Sequence, residues 1–139
     1  MVGNVGNVTS LEFYAKSLAA NQEICTLAAS TATAITVVAD TLTFGGSLTV
    51  SAITVDDVAK TAAQAGVLIN DGAWHKISLT MTSIAASNLK FGTDSSAFGN
   101  VRLDYVTVNG GTSVWTFDDG PQYGEPSDGD PVAVLESLE

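Results

Sequence analysis

The side chains of this chain that could do catalytic chemistry are few and poorly spaced for it. There is one histidine, His75, and one cysteine, Cys25. A Ser-His-Asp triad would need His75, and zinc sites with several histidines and CxxC redox pairs are excluded. The acidic doublets Asp56-Asp57 and Asp118-Asp119 join neighbouring residues. In a strand they would point to opposite faces, whereas a retaining glycosidase needs two carboxyl groups about 5 Å apart. We therefore predict a protein that is not an enzyme.

Aromatic side chains offer a different chemistry, because a sugar-binding site stacks an aromatic ring on the face of a sugar and surrounds it with polar groups. Tyr105 and Arg102 share a predicted strand but differ in parity, so they would face opposite sides of a sheet unless a β-bulge intervenes. Ordinary packing is the alternative for each ring. The candidate sugar-binding residues are Tyr14, Tyr105, Trp115 and Tyr123.

Charge and hydropathy exclude several classes of function. The chain has 139 residues, 15 acids and 5 bases, and a formal net charge of −10. Its bases are scattered, which argues against nucleic-acid binding through phosphate contacts. Hydrophobic residues make up 45% of the chain, enough for a core. No apolar run approaches the length that spans a bilayer, so we expect no membrane insertion.

The distribution of acids suggests three regions. Residues 118–139 hold seven acids and no base, together with three prolines. We predict a flexible N-terminal arm at 1–9, a single domain at 10–117, and an acidic Pro/Gly-rich extension at 118–139. A solvated tail is one interpretation of the extension, and an arm that docks on a neighbour is the other.

The elements that must position these side chains are short strands. Alternating apolar and polar residues, interrupted by turn signals such as Gly45-Gly46, Asp71-Gly72 and Asn109-Gly110, predict about nine strands. Residues 56–65 form the one helix candidate, capped by Asp56-Asp57, with a loop as the alternative. Residues 66–70 look strand-like. The pattern predicts an all-β fold, an antiparallel two-sheet β-sandwich of the jelly-roll type with at most one short helix. The predicted strands are 10–18, 23–29, 33–39, 41–44, 47–55, 74–84, 89–92, 101–108 and 114–117.

Three segments in the second half of the chain resemble motifs of one family. Residues 71–80 (DGAWHKISLT) resemble a DGxWHxVxxT segment, residues 88–92 (NLKFG) an LxIG segment, and residues 99–108 (GNVRLDYVTV) a GxxDxVxV strand. In this order the chain is similar to laminin-G/pentraxin-like domains of the concanavalin A-like lectin/glucanase group, jelly rolls that also occur in bacteriophage structural proteins. Jelly-roll carbohydrate-binding modules, which also end in an Asp-x-Val-x-Val strand, are the alternative group. The matching residues are Asp71, Gly72, Trp74, His75, Gly92, Gly99, Leu103, Asp104 and Val106.

The resemblance carries expectations for individual residues. We expect Trp74 to pack between the sheets and His75 to be structural rather than a general base. Independently of the resemblance, the apolar neighbours Ile24 and Leu27 predict that Cys25 is a small core residue. A carboxylate in an apolar strand, such as that of Asp104, must be hydrogen-bonded or metal-bound. Many members of these families hold Ca²⁺ through Asp and Asn oxygens, so Ca²⁺ is a possible ligand here although no cofactor is required. The alternative is ordinary loop carboxylates with one strand aspartate bonded to the backbone. The candidate ligands are Asp56, Asp57, Asp94, Asp104 and Asn109.

Three functions fit this reading. The first is a non-enzymatic structural protein of a virus particle, a bacteriophage decoration (cement) or fibre protein that contacts other virion proteins or copies of itself as a homo-oligomer. We expect a location at the virion surface. The reasons are that Thr, Ser, Ala and Gly are abundant, that lysines are few, and that no signal peptide is visible. The second is an extracellular lectin-like module for cell-surface glycans. A stand-alone bacterial adhesin or carbohydrate-binding fragment is a third option.

Overall fold

The fold is described by a computed structural model for residues 4–18, 21–28, 30–91 and 102–111, and for the backbone of 113–115. Ten strands, one α-helix and one 3₁₀ turn lie in these ranges. The helix α1 is Ala62–Ile69, and the 3₁₀ turn is Thr31–Thr33. The strands are β1 Asn7–Lys16, β2 Gln22–Thr26, β3 Ala34–Val38, β4 Thr41–Phe44, β5 Val50–Val55, β6 Val58–Ala59, β7 His75–Ala85, β8 Lys90–Phe91, β9 Arg102–Val108 and β10 Ser113–Trp115.

The strands form two sheets. A six-stranded sheet has the order β10-β9-β1-β7-β5-β6, and a four-stranded sheet has the order β4-β3-β2-β8. Neighbouring strands in both sheets run antiparallel. The predicted all-β, two-sheet antiparallel sandwich is therefore confirmed.

Both sheets contribute one face to a common core. In β1, Leu11, Phe13 and Ala15 are fully buried, while the residues between them are only half-buried. The four-stranded sheet adds Ile24 and Ile35 to the same cluster. Because burial of one large aliphatic or aromatic side chain contributes about 1.5–3 kcal/mol, this alternation fixes which face of β1 turns outward.

The helix lies further along the chain than the sequence predicted. Residues 56–65 are the helix candidate, with a loop as the alternative, but Asp56 and Asp57 form the turn between β5 and β6, and α1 begins after Thr61. Thr61 and Gln64 make a capping box, with Thr61 Oγ1 accepting the N–H of Gln64 at 3.2 Å. The strand-like segment 66–70 proves to be the second half of the helix. The capping box fixes the helix start, whereas the two aspartates adopt the left-handed conformation that a tight hairpin turn requires.

The N-terminal boundary also needs correction. β1 begins at Asn7, so residues 7–9 belong to the sandwich rather than to the predicted arm. Val8 is fully buried and pairs with Ile84 of β7, and the backbone bonds continue to Val5, whose N–H donates to the carbonyl of Ala86 at 3.0 Å. The apolar partner explains the longer strand, because Val8 gains burial by continuing the ladder.

Candidate functional site

The outer face of the six-stranded sheet carries a groove of about 310 Å³. It lies where the outward residues of β9, β1 and β7 stand side by side. We call it the tyrosine groove. Its lining residues are Glu12, Tyr14, Lys76, Tyr105 and Thr107.

A β-bulge in β9 brings Tyr105 into this groove. Glu12 pairs with Thr107 and Tyr14 pairs with Asp104, so β9 has one more residue than β1 between the two pairs. Tyr105 has a φ of 50°, the left-handed conformation typical of a bulge or strained position. From their parity, Arg102 and Tyr105 would face opposite sides of the sheet unless a β-bulge intervened, and the bulge is present. Arg102, opposite Lys16, and Tyr105 both face outward.

The two tyrosines meet in the groove. The ring centroids of Tyr14 and Tyr105 are 5.8 Å apart and the planes are inclined by 64°, an edge-to-face arrangement. Both residues are half-buried. Of the other predicted sugar-binding aromatics, Trp115 lies in β10, where only the backbone is described, and Tyr123 lies outside the described residues.

Polar groups of both charges flank the tyrosine rings. The carboxylate of Glu12 accepts a hydrogen bond from Ser78 Oγ at 2.8 Å. Lys76 stands opposite Tyr14 on β7, and its ammonium forms an ion pair with Asp57 at 2.7 Å. Its hydrogen bond and ion pair with Asp57 raise the pKa of Lys76. The groove therefore offers a hydrogen-bond acceptor on one side and a cationic donor on the other.

Trp74 does not pack between the sheets, contrary to expectation. It is half-buried and stands beside Lys16, whose Nζ is 6.0 Å from the centroid of the indole ring. The reason is strand parity, because Ile77 and Leu79 face the core and Trp74 has the opposite parity. The indole is thus a neighbour of the tyrosine groove on the outer face.

His75 is held between two carboxylates. Its Nδ1 lies 2.6 Å from Asp56 Oδ2, and its Nε2 lies 2.9 Å from Asp71 Oδ2. Partial burial opposes protonation of the ring, but the hydrogen bonds and charges of the two aspartates outweigh it and raise the pKa of His75. Burial likewise opposes ionisation of Asp56 and Asp71, yet hydrogen bonds from His75 and from backbone N–H groups hold the pKa of each carboxyl below its usual value. The geometry suits an imidazolium that donates from both nitrogens.

The described calcium candidates do not lie together. Asp56 and Asp57 lie in the β5–β6 turn, where their carboxylates bind His75 and Lys76. Asp104 is fully buried in β9 and accepts the backbone N–H of Tyr105 at 2.8 Å. Two strands separate Asp104 from Asp56, a distance of about 14 Å at ordinary strand spacing.

The remaining candidates do not complete a site. Asn109 lies in the β9–β10 turn, where its side-chain oxygen accepts the N–H of Thr9 at 2.8 Å. Asp94 lies outside the described residues. Among the described residues no group of three or more His, Cys, Asp or Glu side chains could hold a metal ion. The candidates that the structure describes therefore do not fit a calcium site.

The other described residues of the family-like motifs lie in a turn or in the core, where they support the fold. Gly72 has a φ of 87°, which favours glycine, and it lies under the side chain of Leu18. Leu103 and Val106 of β9 belong to the core. Gly92 and Gly99 lie outside the described residues.

Three residues of the tyrosine groove, Glu12, Lys76 and Thr107, were not singled out from the sequence. Strand parity could have indicated Glu12, because it shares the outward parity of Tyr14 in β1. Cross-strand register could not have been predicted, since it depends on the bulge in β9.

Comparisons with known proteins do not extend these observations. A scan against protein-family models, a search of curated proteins and a search of solved structures all found no match to this chain. The similarity to laminin-G/pentraxin-like domains therefore stays a prediction based on the three segments quoted above. In the described ranges, no helix has the length and apolar character needed to cross a bilayer.

Proposed function

We propose that this chain is a non-enzymatic carbohydrate-binding protein and that the tyrosine groove is its binding surface. The observation that carries the proposal is the edge-to-face pair of Tyr14 and Tyr105, flanked by the carboxylate of Glu12 and the ammonium of Lys76. Aromatic faces bind the C–H face of a sugar, while its hydroxyl groups need both donors and acceptors.

The polar groups support binding rather than hydrolysis. Hydrolysis of a glycosidic bond uses two carboxyl groups that face one another across the bond. Among the described residues that line the groove, Glu12 supplies the one carboxylate, and it is bonded to Ser78. The groove is also open, which suits a glycan chain that lies along the sheet rather than a sealed active site.

A glycan array probed with the purified chain tests the proposal, once in calcium and once in EDTA. We expect specific binding in both conditions, and its loss in the double variant with Tyr14→Ala and Tyr105→Ala. The matched control is Tyr14→Phe with Tyr105→Phe, which keeps both rings and should retain most of the affinity. Equal binding by the wild type and the double alanine variant would contradict the proposal.

A second candidate function is a structural protein of a virus particle, located at the virion surface. The observation that favours it is exposed apolar surface on α1 and on β6. Val58 of β6 and Val67 of α1 are each more than half exposed, and Val67 lines a shallow depression of about 410 Å³ with Ala63 and Leu68. Exposed apolar patches are typical of protein–protein contacts.

The assembly function has its own test. Light scattering after gel filtration gives the oligomeric state of the wild type and of a variant with Val58→Ser and Val67→Ser. Assembly through this patch predicts an oligomer that dissociates in the serine variant and persists in a Val38→Ser variant, because Val38 is another exposed valine on β3. A monomeric wild type would leave the carbohydrate proposal as the better explanation.

A further inference from the structure

The β5–β6 turn presents two carboxylates to the start of β7. Asp56 and Asp57 have φ values of 52° and 69°, so both adopt the left-handed conformation of a two-residue hairpin turn. The N–H of Asp56 donates to the carbonyl of Lys76 at 2.8 Å, and Asp56 Oδ1 accepts the N–H of Lys76 at 2.9 Å. The turn is therefore fixed to the Lys76 backbone by one backbone and one side-chain hydrogen bond of Asp56.

The second carboxylate of the turn controls the side chain of Lys76. Asp57 Oδ1 lies 2.7 Å from the ammonium of Lys76, and Lys76 lines the tyrosine groove opposite Tyr14. A lysine side chain has four rotatable bonds, and an ion pair reduces the number of positions that its ammonium can take. The position of Asp57 therefore sets where the groove presents its cation.

His75 ties the turn to a third segment. Its ring connects Asp56 to Asp71, which lies in the loop after α1 and also accepts the N–H of Ala73 at 2.8 Å. The charged groups around the ring are Asp56 and Asp57 on the turn, Asp71 on the loop and Lys76 on β7. The β1 residue opposite His75 is Ala15, which carries no charge.

We propose that Lys76 contacts bound glycan in the tyrosine groove and that Asp57 and His75 are positioning residues for it. Asp57 holds the ammonium, and His75 holds the turn that carries Asp57. This inference rests on the proposed carbohydrate-binding function, and it makes glycan binding depend on the protonation state of His75. An imidazolium donates to both aspartates, whereas a neutral imidazole has one N–H and can donate to only one. Deprotonation of His75 therefore loosens the turn and weakens glycan binding.

Affinity electrophoresis through gels that contain xylan, laminarin or dextran measures the effect on binding. For a polysaccharide that retards the wild type, we expect Asp57→Asn to weaken binding by about threefold, because it removes a partly exposed ion pair. We expect Lys76→Gln to weaken binding more, because it removes the ammonium itself. Lys76→Arg should restore most of the binding. Lys60→Gln is the control, because Lys60 lies beside α1, away from the groove.

The pH profile separates positioning from a merely structural role. The wild type should lose about threefold in affinity as the pH rises through the pKa of His75, and His75→Gln should give a flat profile. Carbon-detected NMR gives a second readout on the protein alone. The ¹³Cε signal of Lys76, assigned by its absence in Lys76→Arg, should move at the same midpoint as the ring of His75, the only histidine in the chain.

Two results would overturn the inference. One is a Lys76 ¹³Cε chemical shift that does not change as His75 titrates in the wild type. The other is an Asp57→Asn variant that binds as tightly as the wild type. Failure of all three polysaccharides to retard the wild type would count against the carbohydrate function itself, while the NMR titration would still decide whether His75 positions Lys76.

Discussion

Tyr14 and Tyr105 meet edge to face on the outer face of the six-stranded sheet, with ring centroids 5.8 Å apart. The contact depends on one extra residue in β9, which places Tyr105 on the outer face between the buried residues Asp104 and Val106. A bulge next to a functional surface is a recurrent way to re-aim a side chain. Here it converts a regular strand into one wall of the tyrosine groove.

The bulge predicts that deletion of Tyr105 is tolerated. Without this residue, β9 pairs with β1 in an uninterrupted ladder, and Val106 keeps its inward position. Relief of the left-handed conformation, about 1–2 kcal/mol, offsets the lost ring contact, so the free energy of unfolding should change by less than about 1 kcal/mol. Urea denaturation measures it. Deletion of Val106 is the control, because it would turn Tyr105 into the core and should cost several times more. Equal losses in the two variants would refute the bulge assignment.

We expect alanine at position 66 to destabilise the protein, although it lies in a helix. Replacing glycine with alanine in an exposed helix stabilises it by about 1 kcal/mol. At Gly66, however, the new Cβ would clash with the carbonyl oxygen of Asp40, so α1 or the β3–β4 turn must move. We expect Gly66→Ala to lower the free energy of unfolding by about 1–3 kcal/mol, measured by urea denaturation. Ala63→Gly, at an exposed helix position, is the reference and should cost about 1 kcal/mol. A more stable Gly66→Ala variant would contradict the close packing.

Cys25 should be unreactive in the folded protein. It is fully buried in β2, and burial, together with the nearby charge of Glu23, raises the pKa of its thiol to about 12. Because the thiolate is the nucleophile, we expect a disulfide reagent such as DTNB to leave the native chain unlabelled and to label it once guanidinium chloride unfolds it. The control is Ser83→Cys in a Cys25→Ala background, since Ser83 is exposed and should react at once. Rapid labelling of native Cys25 would show that β2 opens easily.

Stability should depend on pH through His75. Its pKa is raised on folding, so its contribution is complete below the unfolded value of about 6.5 and is lost as the pH rises through the folded pKa. The pKa values of Asp56 and Asp71 are lowered, so their contribution is present above about 3.9 and is lost at lower pH. The three groups together should be most stabilising between these limits.

We expect this contribution to be about 0.5–1 kcal/mol, because both aspartates are well exposed and water screens the pairs. Urea denaturation from acid to alkaline pH measures it, and His75→Gln should remove the alkaline decline. The wild type and His75→Gln would differ by a constant amount at every pH if His75 had only a packing role.

Much of the fold could be predicted from sequence because strand periodicity is local. The alternation of Leu11, Phe13 and Ala15 in β1, and of Ile77 and Leu79 in β7, identified both strands and their inward faces. The same reasoning failed at residues 56–70. Two aspartates before an apolar run look like a helix start, but they lie in a hairpin turn that is stabilised by His75 and Lys76 from β7. Hydrogen-bond and ion-pair partners on a distant strand do not change the local spacing of apolar residues, so that spacing cannot reveal them.

The sequence by itself determined an all-β chain with alternating strands, at most one short helix and a core position for its cysteine. Tertiary structure alone decided which outward residues become neighbours. Tyr14 and Tyr105 were both candidates from sequence, but their contact required the order β9-β1-β7 and the bulge at Tyr105. Trp74 lies outward for a different reason, because its parity is opposite to that of Ile77 and Leu79. Side-chain direction follows from local strand parity, whereas register follows from the packing of whole sheets, which no single segment encodes.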